Sequence, residues 1–73
     1  MTLDERIARL EGCFVKDERV LRSERKGARL ERLGAYWILT LAPGTWFHAD
    51  TIEGCVSCAE GALAAALERG GAG

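Results

Sequence analysis

Cys55 and Cys58 form a C-x-x-C pair, the motif best suited to chemistry in this 73-residue chain. Two thiols at this spacing can act as a redox pair, supply half of a zinc site, or fill small gaps in a core. The pair stands at the front of an Ala-rich segment, so we expect both cysteines in the first turns of a helix. A helix N-terminus would lower the pKa of a thiol.

A redox or metal role needs more than this one pair. Thioredoxin-like proteins also place C-x-x-C at the start of a helix after a strand, but the proline that follows in that family is missing, because Pro43 precedes the motif. A zinc site would need two further ligands, which Cys13 and His48 would have to supply without paired spacing. We therefore favour core cysteines and predict no metal or cofactor. If a metal binds, its ligands would be Cys13, His48, Cys55 and Cys58.

His48 is the single histidine of the chain. A general base needs a nucleophile or a substrate group within reach, and no Ser/His/Asp pattern, Gly-rich phosphate loop or H-E-x-x-H motif accompanies it. We therefore predict that the protein is not an enzyme.

Charge is unevenly distributed along the chain, although the net charge is −1. Residues 16–32 carry seven basic and four acidic side chains, and residues 33–73 carry one basic and four acidic ones. Basic residues could follow a phosphate backbone while aromatic rings stack on bases, but the interleaved acids would repel phosphate. We therefore favour a protein partner over direct contact with nucleic acid. The alternatives are a small nucleic-acid-binding or transcription regulator and a zinc-stabilised Cys₃His module.

The N-terminal segment is predicted to be a helix over residues 3–11. Thr2 and Glu5 have the spacing of a capping box, and Gly12 is a plausible stop. Residues 13–33 are ambiguous between short strands and a charged helix at 17–33. We favour strands, with turns at 16–18 and at Lys26-Gly27, because Gly27 would weaken a helix.

Residues 35–49 predict a hairpin. The segment 35–41 is aromatic and β-branched, Pro43-Gly44 is typical of a type II turn, and 45–49 is the return strand. In the simplest register Leu41 faces Trp46, Thr40 faces Phe47 and Leu39 faces His48. This register would place Trp37, Leu39, Leu41 and Trp46 on one face and Tyr36, Ile38 and Phe47 on the other. We expect Trp37 and Phe47 in the core and Trp46 exposed beside the turn.

The last helix is predicted to begin near Ile52, capped by Asp50 or Thr51 in a second capping-box pattern that ends at Glu53. Its apolar stripe comprises Ile52, Val56, Ala59, Leu63, Ala66 and Leu67. The fold class is therefore predicted to be α+β: a short N-terminal helix, an antiparallel sheet of three or four strands, and a C-terminal helix packed on the sheet. We expect residues 1–69 to form one domain and 70–73 to form a flexible Gly-rich tail.

Small size, polarised charge and the absence of catalytic groups indicate non-enzymatic binding of another protein. We expect no membrane association, since no apolar run is long enough to span a bilayer, and a monomer or small homo-oligomer. The candidate partner-binding residues are Arg22, Arg25, Arg29, Arg32, Tyr36, Trp46 and His48. An odd number of cysteines favours a reducing cytosol, and the Ala, Arg and Gly bias without Asn or Gln suggests a bacterial or phage genome.

In size and layout the chain resembles the anti-CRISPR group of small phage and mobile-element proteins, although no shared motif carries the resemblance. Members of that group bind a Cas effector and block it from DNA. The resemblance implies an inhibitor in the cytoplasm of a bacterial cell, with a Cas effector subunit as its partner.

Overall fold

The computed structural model describes residues 1–16, 19–22 and 27–70. Within these ranges the chain forms two helices and five strands. In chain order they are α1 (Leu3–Leu10), β1 (Cys13–Lys16), β2 (Arg19–Arg22), β3 (Arg29–Leu33), β4 (Tyr36–Ala42), β5 (Thr45–Ala49) and α2 (Ile52–Gly70). All strand pairs are antiparallel, and they divide into a three-stranded sheet of order β3-β4-β5 and a separate β1-β2 hairpin. The α+β prediction is confirmed.

Helix α1 begins at the predicted capping box. The backbone N–H of Glu5 donates to the Thr2 hydroxyl at 3.2 Å, and the Glu5 carboxylate accepts from the N–H of Thr2 at 3.1 Å. The chain leaves the helix through Gly12, whose φ of +78° is a left-handed conformation that glycine adopts without strain. Both ends of this helix are therefore set by local sequence.

Within residues 13–33 the structure has strands at Cys13–Lys16, Arg19–Arg22 and Arg29–Leu33, so the alternative of a charged helix is wrong for the described residues. The β1-β2 hairpin is joined to the larger sheet by the backbone N–H of Val15, which donates to the Thr45 hydroxyl at 3.2 Å. Two predicted features, the turn at 16–18 and the turn at Lys26-Gly27, fall partly outside the described residues.

The predicted register of β4 and β5 is wrong by one residue beyond the turn. Gly44 has φ +83°, as a type II turn requires, and Ala42 pairs with Thr45. The pairing then shifts between Thr40 and Ala42, so that Thr40 pairs with Trp46. An extra residue in one strand reverses the faces of everything beyond it. Phe47, paired with Leu39, therefore packs against the core, whereas the side chain of Trp46 lies on the other face.

Helix α2 begins one residue later than its predicted capping box requires. The Thr51 hydroxyl accepts from the N–H of Gly54 at 2.9 Å, so Thr51 is the cap and Glu53 stands one position too early to close a box. The helix continues to Gly70. The rest of the predicted tail, 71–73, lies outside the described residues.

The core lies between α2, the inner face of the three-stranded sheet and the β1-β2 hairpin. Leu39, Val56 and Cys55 are its largest fully buried side chains. Small residues on α2, such as Ala59, are also buried and allow close approach to the sheet. Of the predicted helical stripe, Leu67 is 44% exposed and does not belong to the core.

Candidate protein-interaction surface

One face of the three-stranded sheet packs against α2, and the opposite face bears no helix within the described part of the chain. Cross-strand partners share a face, so the register fixes its members: Arg29 with Thr40 and Trp46, Glu31 with Ile38 and His48, and Leu33 with Tyr36. We call these eight residues the outer sheet face. Its strands are joined by the ladder hydrogen bonds and pack on the core beneath them.

Three rings form the centre of the outer sheet face. The His48 ring lies between those of Tyr36 and Trp46, with centroid separations of 5.6 Å and 5.9 Å. Their tilted arrangement is typical of favourable aromatic contacts. Trp46 is 55% exposed and Tyr36 is 38% exposed, so the cluster presents two large aromatic side chains to solvent.

The predicted arginines do not gather on this surface. Arg29 lies on the outer sheet face and forms an ion pair with Glu31 at 3.0 Å. Arg32 pairs with Trp37 and lies over its indole ring, 5.7 Å from the centroid, on the opposite face. Arg22 is exposed on β2, paired with Cys13 in the separate hairpin. Arg25 falls outside the described residues. The predicted binding set is therefore distributed over at least three places.

Four further members of the outer sheet face, Glu31, Leu33, Ile38 and Thr40, were missed in the sequence. Leu33 is 55% exposed, Ile38 is half-buried, and Glu31 is exposed. The sequence could have identified them, because side chains alternate between the two faces of a hairpin and the turn at Gly34 fixes the register by pairing Leu33 with Tyr36. Leu33 and Ile38 add apolar area beside the three rings, and Glu31 adds a carboxylate that is paired with Arg29.

The structure does not bring the four metal candidates together. Cys55 is fully buried, and its thiol donates to the carbonyl oxygen of Trp37 at 3.2 Å. Cys13 is buried beneath α1, where its thiol is 3.9 Å from the carbonyl oxygen of Arg9. Cys58 is exposed, and His48 lies on the outer sheet face. Among the described residues no group of three or more His, Cys, Asp or Glu side chains could hold a metal ion.

Burial reverses the expected effect of the helix N-terminus on Cys55. Loss of hydration raises the pKa of the Cys55 thiol, and this outweighs its hydrogen bonds to nearby backbone. A protonated thiol is a poor nucleophile and a poor metal ligand. Cys55 therefore serves as a packing residue in the core.

No protein-family model, curated protein or solved structure matches this chain. Neither α1 nor α2, as far as the structure describes them, is long and apolar enough to cross a membrane.

Proposed function

We propose that this protein is a small, non-enzymatic protein-binding module and that the outer sheet face is its binding surface. The observation that carries the proposal is the exposed cluster of Tyr36, His48 and Trp46 on a rigid sheet. Trp, Tyr and Arg are the residues most enriched among binding hot spots, and rigid aromatic anchors lose little entropy on binding. An exposed apolar patch with a polar rim is typical of an interaction site.

The chemistry of the outer sheet face defines the partner surface. The aromatic centre requires an apolar patch on the partner, preferably a groove that accepts the Trp46 indole. Arg29 stands at the rim and can form charge-assisted hydrogen bonds to a carboxylate. We therefore propose that the partner places a carboxylate opposite Arg29, at the border of its apolar patch.

The specific partner that we propose is a Cas effector subunit in the cytoplasm of a bacterial cell, bound by a phage-encoded or mobile-element inhibitor that blocks target DNA. This rests on the small size and α+β layout of the chain. The three free thiols agree with a reducing compartment.

The module is tested by affinity purification with the wild-type chain and two variants. Trp46→Ala removes the central anchor, and Leu67→Ala removes a comparably exposed apolar side chain near the end of α2. We expect Leu67→Ala to retain the partner and Trp46→Ala to weaken binding about 30-fold or more, as loss of a hot spot does. A partner that both variants retain equally would place the binding surface elsewhere.

The effector is tested separately by expressing each variant in cells with active CRISPR interference. We expect wild type and Leu67→Ala to abolish interference and Trp46→Ala to leave it intact. Intact interference with wild type, and a pull-down without CRISPR components, would remove the effector from the proposal while leaving the module open to another partner.

The three rings also favour a second function, binding of single-stranded nucleic acid, because bases stack on aromatic side chains. The ion pair of Arg29 with Glu31 reduces the positive charge available for phosphate. Binding to a labelled oligonucleotide that weakens steeply with salt and is lost in Trp46→Ala would support this function, and salt-independent binding would exclude it.

A further inference from the structure

Strand β3 is the open edge of the three-stranded sheet. The strand order places it outside β4, and β4 is its sole strand partner in the described part of the chain. All five of its residues are exposed, including Leu30 at 36% and Leu33 at 55%. An edge strand of this kind presents unpaired N–H and C=O groups that can pair with another strand.

The direction of the free backbone groups follows from the turn between β3 and β4. Leu33 pairs with Tyr36 across a two-residue turn, and hydrogen-bonded pairs alternate with non-hydrogen-bonded ones from there. Leu33, beside the turn, forms a hydrogen-bonded pair with Tyr36. Leu30 lies three residues earlier in β3 and forms a non-hydrogen-bonded pair, so its N–H and C=O point away from β4. The backbone of Leu30 is therefore available to a strand on the open side.

The charges of β3 are complementary to those of a second β3 in one particular register. A two-fold axis normal to the sheet places one residue opposite its own copy. With the axis at Leu30, Arg29 of each copy faces Glu31 of the other, and opposite charges on paired positions stabilise a sheet. With the axis at Glu31 or at Arg32, like charges face each other, which is unfavourable.

We propose that two copies of this chain associate through antiparallel pairing of their β3 strands, with Leu30 at the two-fold axis. The resulting sheet has six strands, in the order β5-β4-β3-β3-β4-β5. The two Leu30 side chains meet on the face that carries α2, and Arg32 faces Ala28 of the other copy, so no like charge opposes it. The two outer sheet faces become one continuous surface. This assembly stands independently of the proposed function.

Charge reversal with a cross-complement tests the register. Wild-type protein is expected to sediment at twice the monomer mass in a concentration series. Glu31→Arg and Arg29→Glu each place like charges opposite each other, so both should be monomers over the range in which wild type is a dimer. An equimolar mixture of the two restores both ion pairs and should form a heterodimer, and the double variant R29E/E31R should again form a homodimer.

Proline at position 30 tests the backbone pairing. Leu30→Pro removes the outward N–H and leaves the ladder to β4 intact, as proline on an edge strand can do. We expect a monomer with an unchanged far-ultraviolet circular dichroism spectrum. If Leu30→Pro does not fold, the charge variants decide the question alone, since their side chains are exposed. A monomeric wild type, a dimer unaffected by Glu31→Arg, or a mixture that fails to associate would overturn the proposal.

Discussion

The thiol of Cys55 donates a hydrogen bond to the backbone carbonyl oxygen of Trp37, with 3.2 Å between sulfur and oxygen. This contact joins the first turn of α2 to the central strand β4 and holds one half of the C-x-x-C pair in the core. The other half, Cys58, lies at the surface. One helical turn therefore separates a protected thiol from an accessible one.

The two environments predict unequal reactivity of the cysteines. Iodoacetamide should modify Cys58 rapidly in the folded protein, whereas Cys55 and Cys13 should react only after unfolding, because both are buried. Mass spectrometry over a time course measures this order. Cys58→Ala should show no fast modification, and equal rates at all three thiols in the wild type would contradict the buried positions.

Substituting alanine for each of two glycines in α2 should change the free energy of unfolding in opposite directions. A Cβ added at Gly54 would lie 2.9 Å from the Cβ of Ala49, so the helix would have to move away from β5. At Gly61 nothing lies within 4 Å of the added atom, and alanine has the higher helix propensity. We expect Gly54→Ala to lower the free energy of unfolding by about 1–3 kcal/mol.

Gly61→Ala is the matched control and should raise the free energy of unfolding by about 1 kcal/mol. Urea denaturation followed by circular dichroism gives both values. A stabilising Gly54→Ala would show that α2 does not approach the sheet closely at this point.

Substitution by alanine should lower the free energy of unfolding far more at the core residue Leu39 than at an exposed leucine on the neighbouring strand. Leu39 is fully buried and Leu33 is 55% exposed. Removing a buried leucine side chain to alanine costs about 2–5 kcal/mol, which is a large part of the stability of a domain of this size. The Leu39→Ala variant should therefore be largely unfolded at 25 °C. The Leu33→Ala variant should change the urea concentration at the midpoint of unfolding only slightly.

Acid should weaken the attachment of α1 to α2. Arg6 binds Glu60 through two hydrogen bonds, at 2.6 Å and 3.2 Å, and the guanidinium lowers the pKa of the Glu60 carboxyl below its ordinary 4.5. A carboxyl with a depressed pKa in the folded state contributes stability above its unfolded pKa and loses it as the pH falls through the folded value. The contribution of Glu60 should thus be complete near neutral pH and disappear below pH 4.5.

Thermal unfolding from pH 7 to pH 3 measures this loss. Glu60→Gln should be less stable than wild type at pH 7, and the difference should shrink as the pH falls. Glu68→Gln, on an exposed residue of the same helix, is the control and should follow the wild-type profile. A difference between Glu60→Gln and wild type that is constant with pH would contradict the ion pair.

The local elements of this fold were predictable because each depends on neighbours in sequence. The Thr2–Glu5 capping box, the Pro43-Gly44 turn and the apolar repeat of α2 combine residues a few positions apart. The strand character of 13–16, 19–22 and 29–33 was also predicted, although the charged helix was a competing interpretation. The exposed position of Trp46 was expected from its place beside the turn, and the structure confirms the exposure.

The face assignments were wrong for a different reason. The shift between Thr40 and Ala42 depends on how the end of β4 packs against the rest of the core, where Leu41 and Ala42 are both buried. No pattern in the sequence of the strand predicts this bulge. Because one shifted residue exchanges the two faces, Phe47 shares the inner face with Leu39, and Trp46 and His48 share the outer face with Tyr36.

The sequence by itself determined the α+β class, the ends of α1, the turn at Pro43-Gly44 and the presence of thiols at the start of α2. These features follow from capping, turn geometry and periodicity, which act over a few residues. The tertiary structure decided which thiol is buried, which arginines share a surface, and that three rings from β4 and β5 form one exposed cluster. These outcomes depend on strand register and on the packing of α2, and both are set by contacts between residues far apart in the chain.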